Sequence, residues 1–256
     1  MGTFFSGAAI GNPPPAPPEP PPPPPPPALP PSRMPVLHYN FDGEEDLDLA
    51  FSFRDENLTI WDTDNSYFDL GGGNDTVTMS GFGRNAFDLG EGDDFFNGWD
   101  AYDDQLVWGH LGNDFILGGT GDDFFNGEDG DDVLDGDFGN DTLFGGTGDD
   151  ILVGGHGKDV VSGGEGWDVL VAGVGDTLFG GNGSDTFDFG ALDGEQGRLT
   201  IHADPFNDFF DFSGLDSDTR IYFAGNNMLI SNPDLGTSIV VQVVPTYDDD
   251  WGFGKG

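Results

Sequence analysis

The sequence predicts an all-β fold: a right-handed parallel β-roll (β-solenoid) of nonapeptide repeats, with β-rich terminal caps and a disordered Pro-rich N-terminal tail. Three observations carry this expectation. Residues 109–171 are seven consecutive nine-residue units, GHLGNDFIL, GGTGDDFFN, GEDGDDVLD, GDFGNDTLF, GGTGDDILV, GGHGKDVVS and GGEGWDVLV, with no insertion between them. Each unit has Gly at positions one and four, Asp at six and an aliphatic or aromatic residue at eight. The chain holds 44 Gly and 48 Asp plus Glu against 7 Lys plus Arg, a formal net charge of −41.

The unit has a physical reading. Glycines at positions one and four let the backbone turn with φ > 0 where a Cβ would clash, so the first six residues are expected to be a turn. The last three form a short strand, and period-two alternation sends only the eighth residue inward. Ile116, Phe125, Leu134, Leu143, Leu152, Val161 and Leu170 are therefore the expected core. One such residue per nine cannot bury itself alone, so units must stack, two to a coil. Stacked turns bring together the sixth-position carboxylates and unpaired backbone carbonyls. An oxygen-only, anionic ligand set of six or more describes a hard cation of calcium's size, with magnesium a poorer fit. The expected metal ligands are Asp114, Asp123, Asp132, Asp141, Asp150, Asp159, Asp168 and Asp185, with the first glycines Gly118, Gly127, Gly136, Gly145, Gly154 and Gly163 on the same turns.

These seven units resemble the RTX (repeats-in-toxin) family, whose hemolysin-type GGxGxDxUx nonapeptide builds a calcium-binding parallel β-roll. The resemblance implies several bound Ca2+ ions. Farther on, Asn207-Asp208-Phe209-Phe210-Asp211-Phe212-Ser213-Gly214-Leu215 resembles the D-x-I-D-F/L-S-G element that follows the roll in serralysin-like proteins. That second resemblance implies a C-terminal region that caps the roll and holds an uncleaved type I secretion signal.

Composition narrows the partners. Nucleic acid and anionic membrane surfaces would repel so acidic a surface, and no run reaches the length of a membrane span. From Gly109 to Asp188 there are 18 acidic residues and one basic residue, Lys158. Without a counter-cation such a segment repels itself and buries too little to fold, so metal binding and folding are expected to be one event. The absence of cysteine leaves the compartment open on redox grounds.

In chain order, residues 1–35 are expected to be a tail and polyproline linker; 16 of the 19 prolines fall between Pro13 and Pro35, which favours an extended rod. The first residues lack a basic n-region, so no cleaved secretory signal is expected. Residues 36–69 are expected to cap the roll. The roll is expected over 70–188, six or seven coils, beginning with the looser units LGGGNDTVT, SGFGRNAFD, LGEGDDFFN and WDAYDDQLV. There Asp75 and Asp94 are further expected ligands, Asn85 replaces the sixth-position Asp and Asp104 is a doubtful one. Residues 189–256 are the expected C-terminal cap and secretion signal. Of the two outer faces, the one carrying Phe115, Val133, Ile151 and Val169 is the more apolar. It is expected to be covered by the C-terminal segment or by a second copy.

Catalytic patterns are not apparent. The four histidines lack HExxH spacing, Gly183-Ser184-Asp185 is a repeat turn rather than a hydrolase elbow, and Asp122-Asp123 pairs recur with the repeat. The chain reads as a non-enzymatic, secreted calcium-binding protein with a structural, adhesive or surface role. The alternative is an accessory secretion or stability module, or a remnant, of an RTX enzyme (protease, epimerase or lipase) whose catalytic domain is elsewhere. Expected partners are calcium ions, the type I secretion machinery and a second copy of the chain.

Overall fold

The computed structural model describes residues 37–246, apart from 44, 52–53, 193–194, 205–206, 225, 233 and 236. The polyproline stretch and the acidic, aromatic ending from 248 onward lie outside the described residues. Among those described, two sheets stack their strands in parallel to form a β-solenoid of about nine turns.

The 10-stranded sheet holds β1 (Leu37–Asp42), β3 (Glu56–Trp61), β5 (Thr76–Gly81), β7 (Phe95–Ala101), β9 (Phe115–Thr120), β11 (Val133–Phe138), β13 (Ile151–Val153), β15 (Val169–Val171), β17 (Thr186–Asp188) and β19 (Phe209–Asp211). The 12-stranded sheet begins with β2 (Asp48–Ala50), β4 (Tyr67–Asp69), β6 (Asn85–Glu91), β8 (Gln105–Leu111), β10 (Phe124–Asp129) and β12 (Thr142–Thr147). It continues through β14 (Val160–Gly166), β16 (Thr177–Gly183) and β18 (Gln196–Ala203) to β22 (Thr237–Pro245), β21 (Asn227–Asn232) and β20 (Arg220–Ala224). Odd and even strands alternate between sheets, as two units per coil require. In the perfect repeats the register is strict, with Leu134 opposite Ile116 and Leu152.

All seven expected core residues are fully buried. They continue an aromatic column from the earlier coils, Phe68 to Phe87 (ring centroids 5.1 Å), Phe87 to Phe96 (4.9 Å) and Phe96 to Phe125 (6.4 Å). The ladder also begins earlier than expected. β1 pairs with β3 and β3 with β5, all in parallel, so the stretch expected as a cap contributes coils of the solenoid itself. Those coils compensate for their irregular turns with a thicker core. Ile60, Leu70, Met79 and Leu89 are each buried in addition to Leu58, Phe68, Val77 and Phe87. Leu89 lies between Asp88 and Gly90, which pair with Trp108 and His110, and so stands opposite Gly109.

The glycines divide their work differently from the expectation. Left-handed backbone occurs at positions two and four, for example Gly146 (φ 125°) and Gly148 (φ 131°), and not at position one. Three units place His110, Glu128 and Asp137 in the left-handed second position. Position four needs glycine twice over, since a Cβ on Gly130 would also collide with Gly112 O of the coil before. At position one the requirement is for space alone.

The described C-terminal segment does not lie over the 10-stranded sheet. β22 pairs in parallel with β18, and β21 and β20 follow antiparallel, so they extend the 12-stranded sheet. Phe210 and Phe212 close the end of the core against Phe187 and Phe189, at 5.7 Å and 4.8 Å respectively. Both outer faces carry aromatic pairs. Phe95 stacks on Phe115 (5.4 Å), and Trp108, Phe124 and Phe144 follow one another at 6.0 Å and 5.7 Å. Among the described residues no helix is long and apolar enough to cross a membrane.

Candidate metal sites along the turns

A sixth-position aspartate ends each turn and opens each strand, and stacking places it directly against its counterpart in the adjacent coil. One row runs along the edge that feeds the 10-stranded sheet. The N–H of Asp94 donates to Asp114 Oδ1 (2.8 Å), Asp114 to Asp132 (2.8 Å), Asp132 to Asp150 (2.8 Å), Asp150 to Asp168 (3.0 Å) and Asp168 to Asp185 (3.1 Å). Toward the N-terminus the row continues through Asp75 N–H to Asp94 Oδ1 (2.7 Å) and Glu56 N–H to Asp75 Oδ1 (2.6 Å). The other edge repeats the pattern from Gln105 N–H to Asp123 Oδ1 (2.7 Å), then Asp123 to Asp141 (2.8 Å) and Asp141 to Asp159 (2.8 Å). The ten expected aspartates thus fall into two rows, and each is at most 3 % exposed.

Only half of each carboxylate is satisfied this way. Oδ2 of all ten is buried without a hydrogen-bond partner, and a buried unpaired charged oxygen is strongly unfavourable. Each Oδ2 in the perfect units lies against the first glycine of its own turn. A Cβ on Gly127 would collide with Asp132 Oδ2 and come within 2.7 Å of Gly145 O in the next coil. The same arrangement recurs at Gly118 with Asp123 and Gly136 O, at Gly136 with Asp141 and Gly154 O, and at Gly145 with Asp150 and Gly163 O. The expected glycines therefore stand beside the bare carboxylate oxygens, and their carbonyls face them from the next coil. At Asp75 and Asp94 the first position is instead the buried Leu70 or Leu89, so those two cradles are more crowded.

The electrostatics state the same deficit. Burial, reinforced by neighbouring carboxylates and opposed by the N–H that each Oδ1 accepts, pushes Asp94 and Asp141 up to about 8. The same causes push Asp132 and Asp150 up to about 7. Burial likewise raises Asp123 to about 7, and Asp114, Asp168 and Asp185 to about 6. These carboxylates hold protons at a pH where free aspartate is ionised, unless a cation replaces the proton. Among the described residues no three His, Cys, Asp or Glu side chains converge as a chelating group. An ion held here would need its remaining ligands from backbone carbonyls. Anionic and neutral oxygens in combination suit a calcium-sized ion, so the donor set fits the group.

Three ladder members escaped the sequence reading, one of them Asp208, whose Oδ1 accepts from Asp185 N–H (3.1 Å) beyond the last expected ligand. Asp176 Oδ1 accepts from Asp159 N–H (3.1 Å), but its unit is one residue short, and Gly173 N–H reaches back to Asp176 Oδ2 (2.8 Å). Gln105, not Asp104, holds the ladder position in the unit beginning at Trp99. Asp104 instead lies on a second, exposed ladder at position five, where it accepts from Asp122 N–H (3.0 Å) and pairs with Arg84 (3.1 Å). That outer ladder runs in the opposite sense, as when Asp149 N–H donates to Asp131 Oδ1 (2.9 Å). Three histidines have described partners, His110 between Asp88 (3.0 Å) and Glu128 (2.9 Å), His156 on Phe138 and His202 on Phe179.

Residues 108–143, 144–176 and 176–195 match the family of the RTX calcium-binding nonapeptide repeat. No match to a curated protein is found. Residues 108–195 thus match the RTX calcium-binding nonapeptide repeat in sequence, and their fold, parallel strands stacked into a β-solenoid, is that of a β-roll.

Proposed function

We propose that this chain is a secreted, non-enzymatic protein whose roll binds several Ca2+ ions and folds on taking them up outside the cell, where it serves as a structural or adhesive rod. The observation that carries the reading is the double row of buried, half-satisfied carboxylates beside glycine carbonyls. Asp123, Asp132, Asp141, Asp150 and Asp168, with the first-glycine carbonyls of the following coils, would hold the ions. Bound calcium supplies the positive charge that the turns lack. Low calcium inside the cell leaves the segment unfolded and fit for export, and higher calcium outside stabilises the native state by mass action.

Export is read as type I, with its signal after Leu199, in the region that contains the Asp208–Gly214 element. A chain truncated at Leu199 is expected to stay in the producing cell while the full chain reaches the medium; export of the truncated chain contradicts this part. The exposed apolar row on the 10-stranded sheet, including Phe115 (39 % exposed) and Ile151 (44 % exposed), is proposed as a self-association face. Lysine at Val133, Ile151 and Val169 together is expected to leave a folded monomer in sedimentation. An unchanged oligomeric state removes the idea.

A further inference from the structure

On the calcium reading above, the ions do not occupy both edges of the roll over the same length. We propose that the side-chain amides of Asn85 and Gln105 are built-in substitutes for a cation. The edge feeding the 12-stranded sheet then begins with metal-free coils and takes calcium only from Asp123 onward.

Asn85 occupies the ladder position and is 2 % exposed; its Oδ1 accepts Ser66 N–H (3.1 Å), as an aspartate Oδ1 does elsewhere. The difference is in the second atom. Where Asp123, Asp141 and Asp159 leave a bare Oδ2, Asn85 places an NH2 that donates to Thr63 O (2.7 Å) and Gly83 O (3.3 Å). Gln105, fully buried, does the same with Nε2 to Gly83 O (2.7 Å) and Asp103 O (2.6 Å). The reverse orientation of Asn85 would turn its NH2 on the Ser66 N–H and its oxygen on two carbonyls. The network therefore fixes the nitrogen on the carbonyl side. In an aspartate turn, carboxylate and carbonyl oxygens repel until a positive charge stands between them; in these two turns the amide hydrogens fill that role. Gln105 Oε1 is left without a partner, and a lone neutral oxygen is a weak ligand for a hard divalent cation.

On the opposite edge the same coils keep aspartates, Asp75 and Asp94, with the buried Leu70 and Leu89 in the first position, so the amides are confined to this edge. At the far end of this edge Asp176 is closed by Gly173 N–H. Among the described residues this edge therefore has three bare carboxylates, Asp123, Asp141 and Asp159, while the opposite edge has seven.

Asn85→Asp tests this in the full chain, because it exchanges only the NH2 for an oxygen. Calcium per chain, counted by native mass spectrometry, is expected to rise by one, and amide exchange at Ser66 in chelator to quicken at least tenfold and recover with calcium. In the wild-type chain Ser66, whose N–H is held by the Asn85 amide, is expected to stay protected in chelator, while Asp123 and Asp141, whose N–H groups are held by the bare carboxylates of Asp141 and Asp159, exchange freely. Asp141→Asn is the converse, losing one calcium and gaining protection in chelator. A wild-type chain that binds no calcium overturns the calcium reading and this inference together. A wild-type chain that binds calcium, with Asn85→Asp taking up none extra or with Ser66 as unprotected as Asp141 in chelator, overturns this inference alone.

Discussion

In chelator, the chain is expected to gain strand structure as the pH falls from about 8 to about 4 and to lose it on return. The sign follows from where the protons sit. An unfolded aspartate titrates near 4, whereas burial holds Asp94 and Asp141 at about 8 and Asp123, Asp132 and Asp150 at about 7 in the folded roll. A carboxyl raised on folding contributes stability that is fully present below its unfolded value and lost as pH rises through its folded value. The metal-free roll should therefore be most stable below about pH 4 and fail between about pH 6 and 8. A protonated carboxyl can donate a hydrogen bond, which an ionised one cannot. Calcium should reverse the trend, since it competes with protons for the same oxygens. Circular dichroism across pH, with and without calcium, reads both arms. A chelated chain that unfolds on acidification would contradict the ladder as described.

Gly136→Val should be the most damaging single change in the repeats. The new Cβ would meet Asp141 Oδ2 and lie 2.7 Å from Gly154 O, so it occupies the space between the carboxylate and the carbonyl facing it. Overpacking on this scale costs roughly 1–3 kcal/mol, and displacing the cation adds to it. Urea unfolding in calcium should show a loss of about 3 kcal/mol or more, together with fewer calcium ions bound. Thr147→Ala, which removes only an exposed hydroxyl at the end of β12 and its hydrogen bond to Asp129 Oδ1 (2.9 Å), should cost about 1 kcal/mol or less. Equal stability of the two variants would mean that the first glycine is not reserved for the site.

The roll was legible where four positions of every unit agree, and the ten bare aspartates are those the repeat nominates. From Val36 to Val107 the repeat weakens because apolar burial replaces turn chemistry. Leu70 and Leu89 stand in glycine slots, and spacings of ten residues shift the phase. Gln105 was missed for that reason. Reading WDAYDDQLV as a nonapeptide puts Asp104 in the sixth position, although the alternation Gln105-Leu106-Val107-Trp108, with Gln105 and Val107 buried, marks the true register. Asp176 was hidden by a single missing residue. The role of the first glycine was misassigned, because a need for space and a need for positive φ leave the same residue in the sequence. The antiparallel β20–β22 extension had conventional strand patterns but no signal of which sheet it would join.

On the proposed function, carboxylate rows, not a preformed apolar core, decide when the repeats fold. Far-ultraviolet circular dichroism of the chelated full chain at neutral pH, titrated with calcium and separately with magnesium, tests it most directly. The expected result is a small starting β signal from the N-terminal coils, then a cooperative rise with calcium and none with magnesium. A complete β spectrum in chelator at neutral pH, unchanged by calcium, would contradict it.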